Sequence, residues 1–228
     1  MKDNGIVKIG ITGDTHGDVN LEKFNRAKKL RYSHVLVCGD FGYIFGGTNS
    51  EEQRLDRINE LGLKIFFVDG NHENFDIMDQ YPVSEWNGGK VQYIRPNIIH
   101  LMRGEIYDFF GNKVFCLGGA ASTDKEWRME DYDWWKEELP NHRERQYALE
   151  NLERHGNEVD IVITHTVFSE ALKALGAEYR ADDFTEYLSI INKTIKYRKW
   201  YFGHMHIDKE VLSNVFCTYE AIRELKCR

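Results

Sequence analysis

The chain has few of the residues that mark disulfide-rich, collagen-like or disordered proteins. Its 228 residues include only 3 prolines and 4 cysteines. The cysteines are widely spaced and form no CxxC pair, which argues against both a disulfide framework and a thiolate zinc site. We expect reduced thiols, mostly buried in strands, at Cys38, Cys116, Cys217 and Cys227.

Long apolar runs and an excess of positive charge are also missing. No apolar run approaches the roughly 20 residues that cross a bilayer as a helix. The opening stretch MKDNGIVKIGIT lacks the pattern of a secretory signal. We therefore expect a cytoplasmic protein without a membrane partner. The formal net charge of −7 opposes strong binding to duplex nucleic acid.

The length and the apolar pattern predict one α/β domain over residues 1–228. Strand-like runs at residues 6–12, 34–38 and 64–68 each end in a polar loop, and helical spacing separates them. Such βαβ units predict a parallel sheet. Short runs between residues 91 and 117 have hairpin spacing and predict mixed or antiparallel pairing. Further helices are expected near residues 141–155 and 182–196.

Histidines are concentrated where the predicted strands end. Five of the nine follow apolar runs directly, beside Asp, Asn, Gly or Thr. These are His16, His72, His165, His204 and His206. Since the carboxyl ends of parallel strands share one edge of a sheet, these side chains should converge there. Imidazole with carboxylate is a ligand set for Zn, Mn, Fe or Ni. Surface or satisfied core positions are expected for His34, His100, His142 and His155.

Each short motif also has an ordinary structural interpretation. Asp14 could cap a helix or a backbone N–H, and Asp40 could be a turn aspartate. Asn71 and His72 could serve only a left-handed turn. A single histidine at a strand end, such as His165, is more often structural than a metal ligand. The joint pattern nevertheless favours a metal site.

Five motifs, in this order, resemble those of the calcineurin-like metallophosphoesterases. They are DTH at residues 14–16, GD at 39–40, GNHE at 70–73, TH at 164–165 and GHMH at 203–206. The resemblance implies a four-layer αββα sandwich, in which two mixed β-sheets are flanked by helices. It also implies two divalent transition metal ions, with Mn favoured over Fe, Zn or Ni.

The resemblance also implies a role for each residue of the motifs. Asp40 would bridge the two ions. The remaining ligands would be Asp14, His16 and His206 for the first ion, and Asn71, His165 and His204 for the second. His72 would not be a ligand; it would protonate the leaving group or steady the transition state. The implied activity is metal-dependent phosphoester hydrolysis, by a phosphatase or phosphodiesterase, with in-line attack of a metal-bridging hydroxide on phosphorus.

The second motif continues as GDFGYIFGG and lacks the Asp-Arg-Gly segment typical of protein Ser/Thr phosphatases. This difference disfavours that branch and leaves the partner of His72 open, with Asp69 and Glu73 nearby in sequence. The substrate could be a small molecule, a nucleotide or a phosphoprotein, as a monoester or a diester. A non-catalytic metal-binding scaffold and a metal sensor are alternatives, disfavoured because every motif position carries the family's residue type.

The segment STDKEWRMEDYDWWKEELP, residues 122–140, is rich in aromatic and charged side chains. Arg128 is the candidate for substrate binding, through a phosphate. The tryptophans could wall the pocket or stack on a ring. Alternatively, they pack against the sheet and the charges are solvated. Arg103, outside this segment, is expected to be a hairpin residue.

Overall fold

A computed structural model describes residues 7–226. Cys227 and the first residue of the expected strand at 6–12 lie outside this range. Within it are thirteen strands in two sheets, six α-helices and two short 3-10 helices. None of these helices is long and apolar enough to cross a membrane.

The first sheet has seven strands. They are β1 Ile9–Thr12, β2 His34–Val37, β3 Lys64–Phe67, β4 Val83–Trp86, β5 Gly89–Arg95, β6 Ile98–Leu101 and β13 Arg223–Leu225. Their order is β13-β1-β2-β3-β6-β5-β4. β1, β2, β3 and β6 are parallel neighbours, whereas β13, β5 and β4 pair antiparallel. The sheet is therefore mixed.

The second sheet has six strands. They are β7 Glu105–Phe109, β8 Asn112–Leu117, β9 Ile161–Thr164, β10 Lys199–Phe202, β11 Lys209–Leu212 and β12 Val215–Cys217. Their order is β11-β12-β10-β9-β8-β7. β8, β9, β10 and β12 are parallel, and each edge strand pairs antiparallel with its neighbour.

Six helices complete the fold. They are α1 Glu22–Lys29, α2 Asn49–Asn59, α3 Phe75–Met78, α4 His142–Arg154, α5 Ser169–Leu175 and α6 Asp183–Thr194. Three of them begin with a capping box, in which the cap and the third helical residue exchange hydrogen bonds. The caps are Thr48, Asn141 and Asp182.

Three apolar clusters lie between successive layers of the molecule. Leu36 and Phe66 face the second sheet, within a cluster that also contains Ile161 and Ile163. Their strand neighbours Val35, Val37 and Phe67 point the other way, toward α1 and α2. The third cluster packs α4, α5 and α6 onto the outer face of the second sheet. Successive side chains of a strand point to opposite faces, so a strand buried on both faces is a continuous apolar run.

The layers therefore run helix, sheet, sheet, helix, as the sequence resemblance implies. The predicted strands near residues 34–38, 64–68 and 91–117 and the helices near 141–155 and 182–196 are present. Sequence periodicity did not predict β4, β11, β12, β13, α3 or α5. Most of these are only three or four residues long, too short for a periodic pattern to show.

Candidate metal centre

Five strands deliver their carboxyl ends to one region between the two sheets. The loops after β1, β2 and β3 belong to the first sheet, and those after β9 and β10 to the second. All five motifs of the sequence lie in these loops. The parallel arrangement places their polar side chains together, as expected for loops at the same ends of parallel strands.

The first group of potential ligands consists of Asp14, His16, Asp40 and His206, each with one donor atom within 4.8 Å of the others. The Nε2 atoms of His16 and His206 are 2.9 Å apart. His16 Nε2 lies 3.8 Å from Asp40 Oδ2, and His206 Nε2 lies 3.9 Å from Asp14 Oδ1. Nitrogen and carboxylate oxygen thus surround one point, as in a transition-metal site.

The second group consists of Asp40, His165 and His204, again within 4.8 Å of one another. His165 Nε2 is 3.2 Å from Asp40 Oδ1 and 3.0 Å from Asn71 Oδ1. His165 Nδ1 donates to the carbonyl of Cys38 at 2.8 Å. This bond orients the ring so that Nε2 faces the centre, a common arrangement for a metal-binding histidine. The two groups share Asp40.

The backbone at this centre is unusual. His16, Asp40, His204 and His206 all have positive φ, between 46° and 64°. Non-glycine residues rarely adopt this left-handed region, and such strain is concentrated at functional sites. Gly39 is also required here, because a Cβ atom on it would lie 2.2 Å from Nδ1 of His165. The loops accept strained backbone and close approach in order to direct these side chains inward.

Burial and the ion pair between Asp40 and His165 set the pKa values of these groups. Burial raises the pKa of Asp14 to about 7, and lowers the pKa of His16 to about 4 and that of His204 to about 3. Burial alone would lower the pKa of His165, but the neighbouring Asp40 raises it to about 10. Burial opposes ionisation of Asp40 as well, yet His165 holds the pKa of Asp40 well below its usual value.

The donor set therefore fits divalent cations. Neutral imidazoles at His16 and His204 offer lone pairs, and buried carboxylates need positive charge nearby.

Three side chains outside the motifs hold the first group, and the sequence pattern did not identify them. Lys23 Nζ donates to the carbonyls of Gly13 at 3.0 Å and Asp14 at 2.6 Å. The same ammonium lies 4.2 Å from the ring centroid of Tyr219, which stacks on His206 at 4.6 Å. The carboxylate of Asp208 accepts hydrogen bonds from the backbone N–H groups of residues 219–221.

His72 faces the centre without belonging to either group. Its backbone N–H donates to Asp40 Oδ1 at 2.9 Å, and its ring centroid is 5.3 Å from that of His16. Arg128 Nη1 lies 3.4 Å from His72 Nδ1. Asp124 Oδ2 accepts a hydrogen bond from Nε of Arg128 at 2.9 Å and forms an ion pair with Nη2 at 2.9 Å, which fixes the guanidinium beside His72.

Neither carboxylate considered as a partner for His72 has a hydrogen bond to it within residues 7–226. Glu73 accepts from the backbone N–H groups of Phe41 and Gly42, at 2.6 and 3.2 Å. Asp69 accepts from Arg103, which also bonds Glu144. Arg103 is thus not a hairpin residue: it lies in the connection from β6 to β7, which crosses between the sheets.

The tryptophans of the aromatic segment have different environments. Trp135 is buried, and its Nε1 donates to Asp76 Oδ2 at 2.9 Å, so it packs the fold. Trp134 lies beneath Lys125, whose ammonium is 4.6 Å from the ring centroid. Trp127 is 87% exposed. The packing interpretation therefore holds for Trp135 and not for Trp127.

The sequence matches the family model of the calcineurin-like phosphoesterases over residues 7–208. The chain belongs to this family.

One curated relative and one solved structure illustrate how distant the similarity is. The chain is 21% identical over 176 residues to a lariat debranching enzyme of Schizosaccharomyces pombe (strain 972 / ATCC 24843). That match covers 70% of this chain but only 36% of the relative, so the chain spans about a third of the relative's length. The crystal structure of TT1561 of Thermus thermophilus superposes with a TM-score of 0.56 at 12% identity. It covers 98% of this chain and 100% of the other, which shows a shared fold.

Proposed function

We propose that the chain is a phosphoester hydrolase with a binuclear metal centre. The observation that carries this proposal is the pair of ligand groups that share Asp40. A carboxylate placed between two sets of imidazoles suits a pair of cations better than a single one.

In this proposal Asp14, His16 and His206 hold one cation, and Asn71, His165 and His204 hold the other. Asp40, which belongs to both ligand groups, would contribute its carboxylate to both cations. Two bound cations would acidify a water molecule and neutralise the oxygens of the phosphoryl group. The mixture of nitrogen and oxygen donors favours transition metals, and we propose Mn first, with Fe, Zn and Ni as alternatives.

His72 acts on the substrate in this scheme. Its ring stands at the edge of the first ligand group, 5.3 Å from the ring centroid of His16, and we propose that it gives a proton to the departing oxygen. Arg128 stands beside it and offers a charged donor to the substrate's phosphoryl oxygens, while Asp124 holds the guanidinium in place. Arg128, from the aromatic segment at residues 122–140, would thus take the role of the arginine that the Asp-Arg-Gly segment supplies in protein phosphatases.

The substrate is a phosphoester that need not be part of a protein or a nucleic acid. The net charge of −7 disfavours a duplex. From the sequence pattern we further propose a single domain and a cytoplasmic location.

The decisive experiment combines metal binding with hydrolysis. The purified protein is stripped with a chelator and titrated with Mn by calorimetry, and then assayed with p-nitrophenyl phosphate and bis(p-nitrophenyl) phosphate. We expect two bound Mn ions and metal-dependent hydrolysis of at least one ester. Binding of metal without hydrolysis of either ester would favour a non-catalytic scaffold instead.

His72→Ala tests the assigned proton donor. We expect it to lose about 10²- to 10⁴-fold in kcat, the usual contribution of a positioned acid or base, and to keep both Mn ions. His142→Ala, on the first turn of α4 away from the centre, is the matched control and should behave as the parent.

A further inference from the structure

A cavity of about 490 Å³ opens directly beside the candidate metal centre. His204 and His206 form part of its wall, so it is continuous with the place where a phosphoryl group would bind. Its size falls within the roughly 300 to 1,000 Å³ of small-molecule sites. The connection between α5 and α6 forms much of the opposite wall.

The wall of this cavity is only partly polar. Leu172, Tyr179, Ala181 and Met205 contribute apolar or aromatic surface. Two of the polar groups, Asp182 and Thr185, are already hydrogen-bonded to each other in the capping box of α6. Glu178 and Arg180 also line the cavity, and their charges are opposite in sign, so they add no net charge to the wall. Such a wall suits an uncharged ring with a few polar substituents, because burying a charge without a partner is costly.

The lining of the cavity does not include the proposed proton donor. His72 and Arg128 do not line it. A leaving alcohol must depart next to His72, since a proton can be transferred only over hydrogen-bond distance. A group that occupies the cavity is therefore not the leaving group.

The remaining flank of the centre is less suitable for an organic group. The cavity beside His16 measures about 200 Å³, and its wall includes the carboxylates of Asp18, Glu22 and Glu220 against the single ammonium of Lys23. The excess of negative charge disfavours a phosphoester, and the small volume leaves little room for a ring.

We infer that the cavity beside His204 and His206 holds the ester group that stays on phosphorus, so that the substrate is a phosphodiester whose retained group carries an uncharged ring. The inference rests on the proposed function and specifies its substrate class. Water adds its oxygen to phosphorus and loses one proton to the solvent. The bond from phosphorus to the leaving oxygen breaks, and that oxygen takes one proton from His72, which the solvent restores. The products are an alcohol and a ring-bearing phosphomonoester.

The test uses two diesters that share a leaving group but differ in the retained group. Bis(p-nitrophenyl) phosphate would place a ring in the cavity, whereas methyl p-nitrophenyl phosphate would place only a methyl group there. Ala181→Trp reduces the volume of the cavity without touching a metal ligand or His72. Ala174→Trp, on the exposed face of α5 and outside the cavity, is the matched control.

We expect Ala181→Trp to raise the KM of the Mn-loaded enzyme for the aryl diester about tenfold, since the ring loses its buried surface. KM for the methyl diester should stay within about twofold. A second readout is the binding of diphenyl phosphate to the Mn-loaded protein by calorimetry, which should weaken about tenfold in Ala181→Trp and not in Ala174→Trp.

Two results would overturn the inference while leaving the proposed function intact. One is an equal effect of Ala181→Trp on both diesters, including no effect on either. The other is a higher kcat/KM for p-nitrophenyl phosphate than for both diesters. A protein that binds none of Mn, Fe, Zn and Ni, or that binds one of these metals and hydrolyses none of the three esters, would overturn the proposed function itself.

Discussion

The two ligand groups of the candidate metal centre differ most in their access to solvent. The side chain of His165, in the second group, is 0% exposed. In the first group, the side chain of His16 is 33% exposed and that of His206 is 47% exposed. The second group is thus part of the core between the sheets (the core group), and the first group lies at the open edge of that core (the edge group).

Different contacts hold the two groups. The core group is bonded to the fold itself: His165 donates to the Cys38 carbonyl, and Asn71 donates to Ser122 Oγ at 3.1 Å. The edge group depends on residues added around it, namely Lys23 beneath the Asp14 loop and Tyr219 against His206. Since buried charges interact in a lower dielectric, a cation in the core group should bind more tightly and exchange more slowly.

The largest effect should come from removing the residue that the groups share. Asp40→Asn takes a carboxylate from both, so we expect loss of at least one of two Mn ions in calorimetry. Activity should fall by about 10³-fold or more, at or beyond the upper limit for one electrostatic group. Asp79→Asn, an exposed carboxylate after α3, is the control. Full activity of Asp40→Asn would show that the ligand assignment is wrong.

The next largest effects should come from removing one histidine from each ligand group in turn. His206→Asn should lower the Mn affinity of the weaker binding step only. Because it removes a direct ligand, the loss should exceed the roughly 10- to 100-fold typical of removing a residue that supports a ligand. His165→Asn should remove the tighter step. It should also lower the melting temperature in chelator, because Asp40 then keeps a buried charge without its partner, at a cost of about 3 kcal/mol or more. If His206→Asn and His165→Asn weakened the same Mn-binding step equally, the assignment of the two histidines to two distinct sites would be wrong.

Lys23→Met tests the support beneath Asp14. Two backbone carbonyls of that loop would lose a charged donor, worth about 1.5 to 3 kcal/mol each for such a hydrogen bond. We expect a lower melting temperature and about tenfold weaker binding in the weaker Mn step. Lys28→Met, exposed on the same helix, should change neither quantity. If the Mn titration of Lys23→Met were unchanged, Lys23 would contribute to the stability of the fold and not to metal binding.

The smallest effect concerns the stacking of Tyr219 on His206. Tyr219→Leu removes a ring pair worth about 0.5 to 1.5 kcal/mol. The weaker Mn step should therefore loosen roughly two- to tenfold. Tyr219→Phe keeps the ring and should restore the parental titration. If Tyr219→Phe and Tyr219→Leu weakened Mn binding equally, the hydroxyl group of Tyr219 and not the stacking of its ring would support His206.

Much of the candidate centre was predictable because each motif is local. A strand end, a glycine and a ligand lie within a few residues of one another, as in the GD and GHMH motifs. The glycine indicates that another ligand side chain packs closely against the backbone at that point. The supports were not predictable. Lys23 and Tyr219 belong to no motif, and they meet only because β13 pairs with β1. Arg103 seemed a hairpin residue because β6 and β7 are adjacent in sequence, although they belong to different sheets.

The sequence by itself determined the family, the apolar strands and the chemical types at the strand ends, since these depend on periodicity and on short spacings. Tertiary structure alone decided which atoms meet. His16 and His206 approach to 2.9 Å across 190 residues of chain, and Arg128 reaches His72 from a segment without a motif. Such contacts depend on how two sheets pack face to face, and no local pattern of residues encodes that distance.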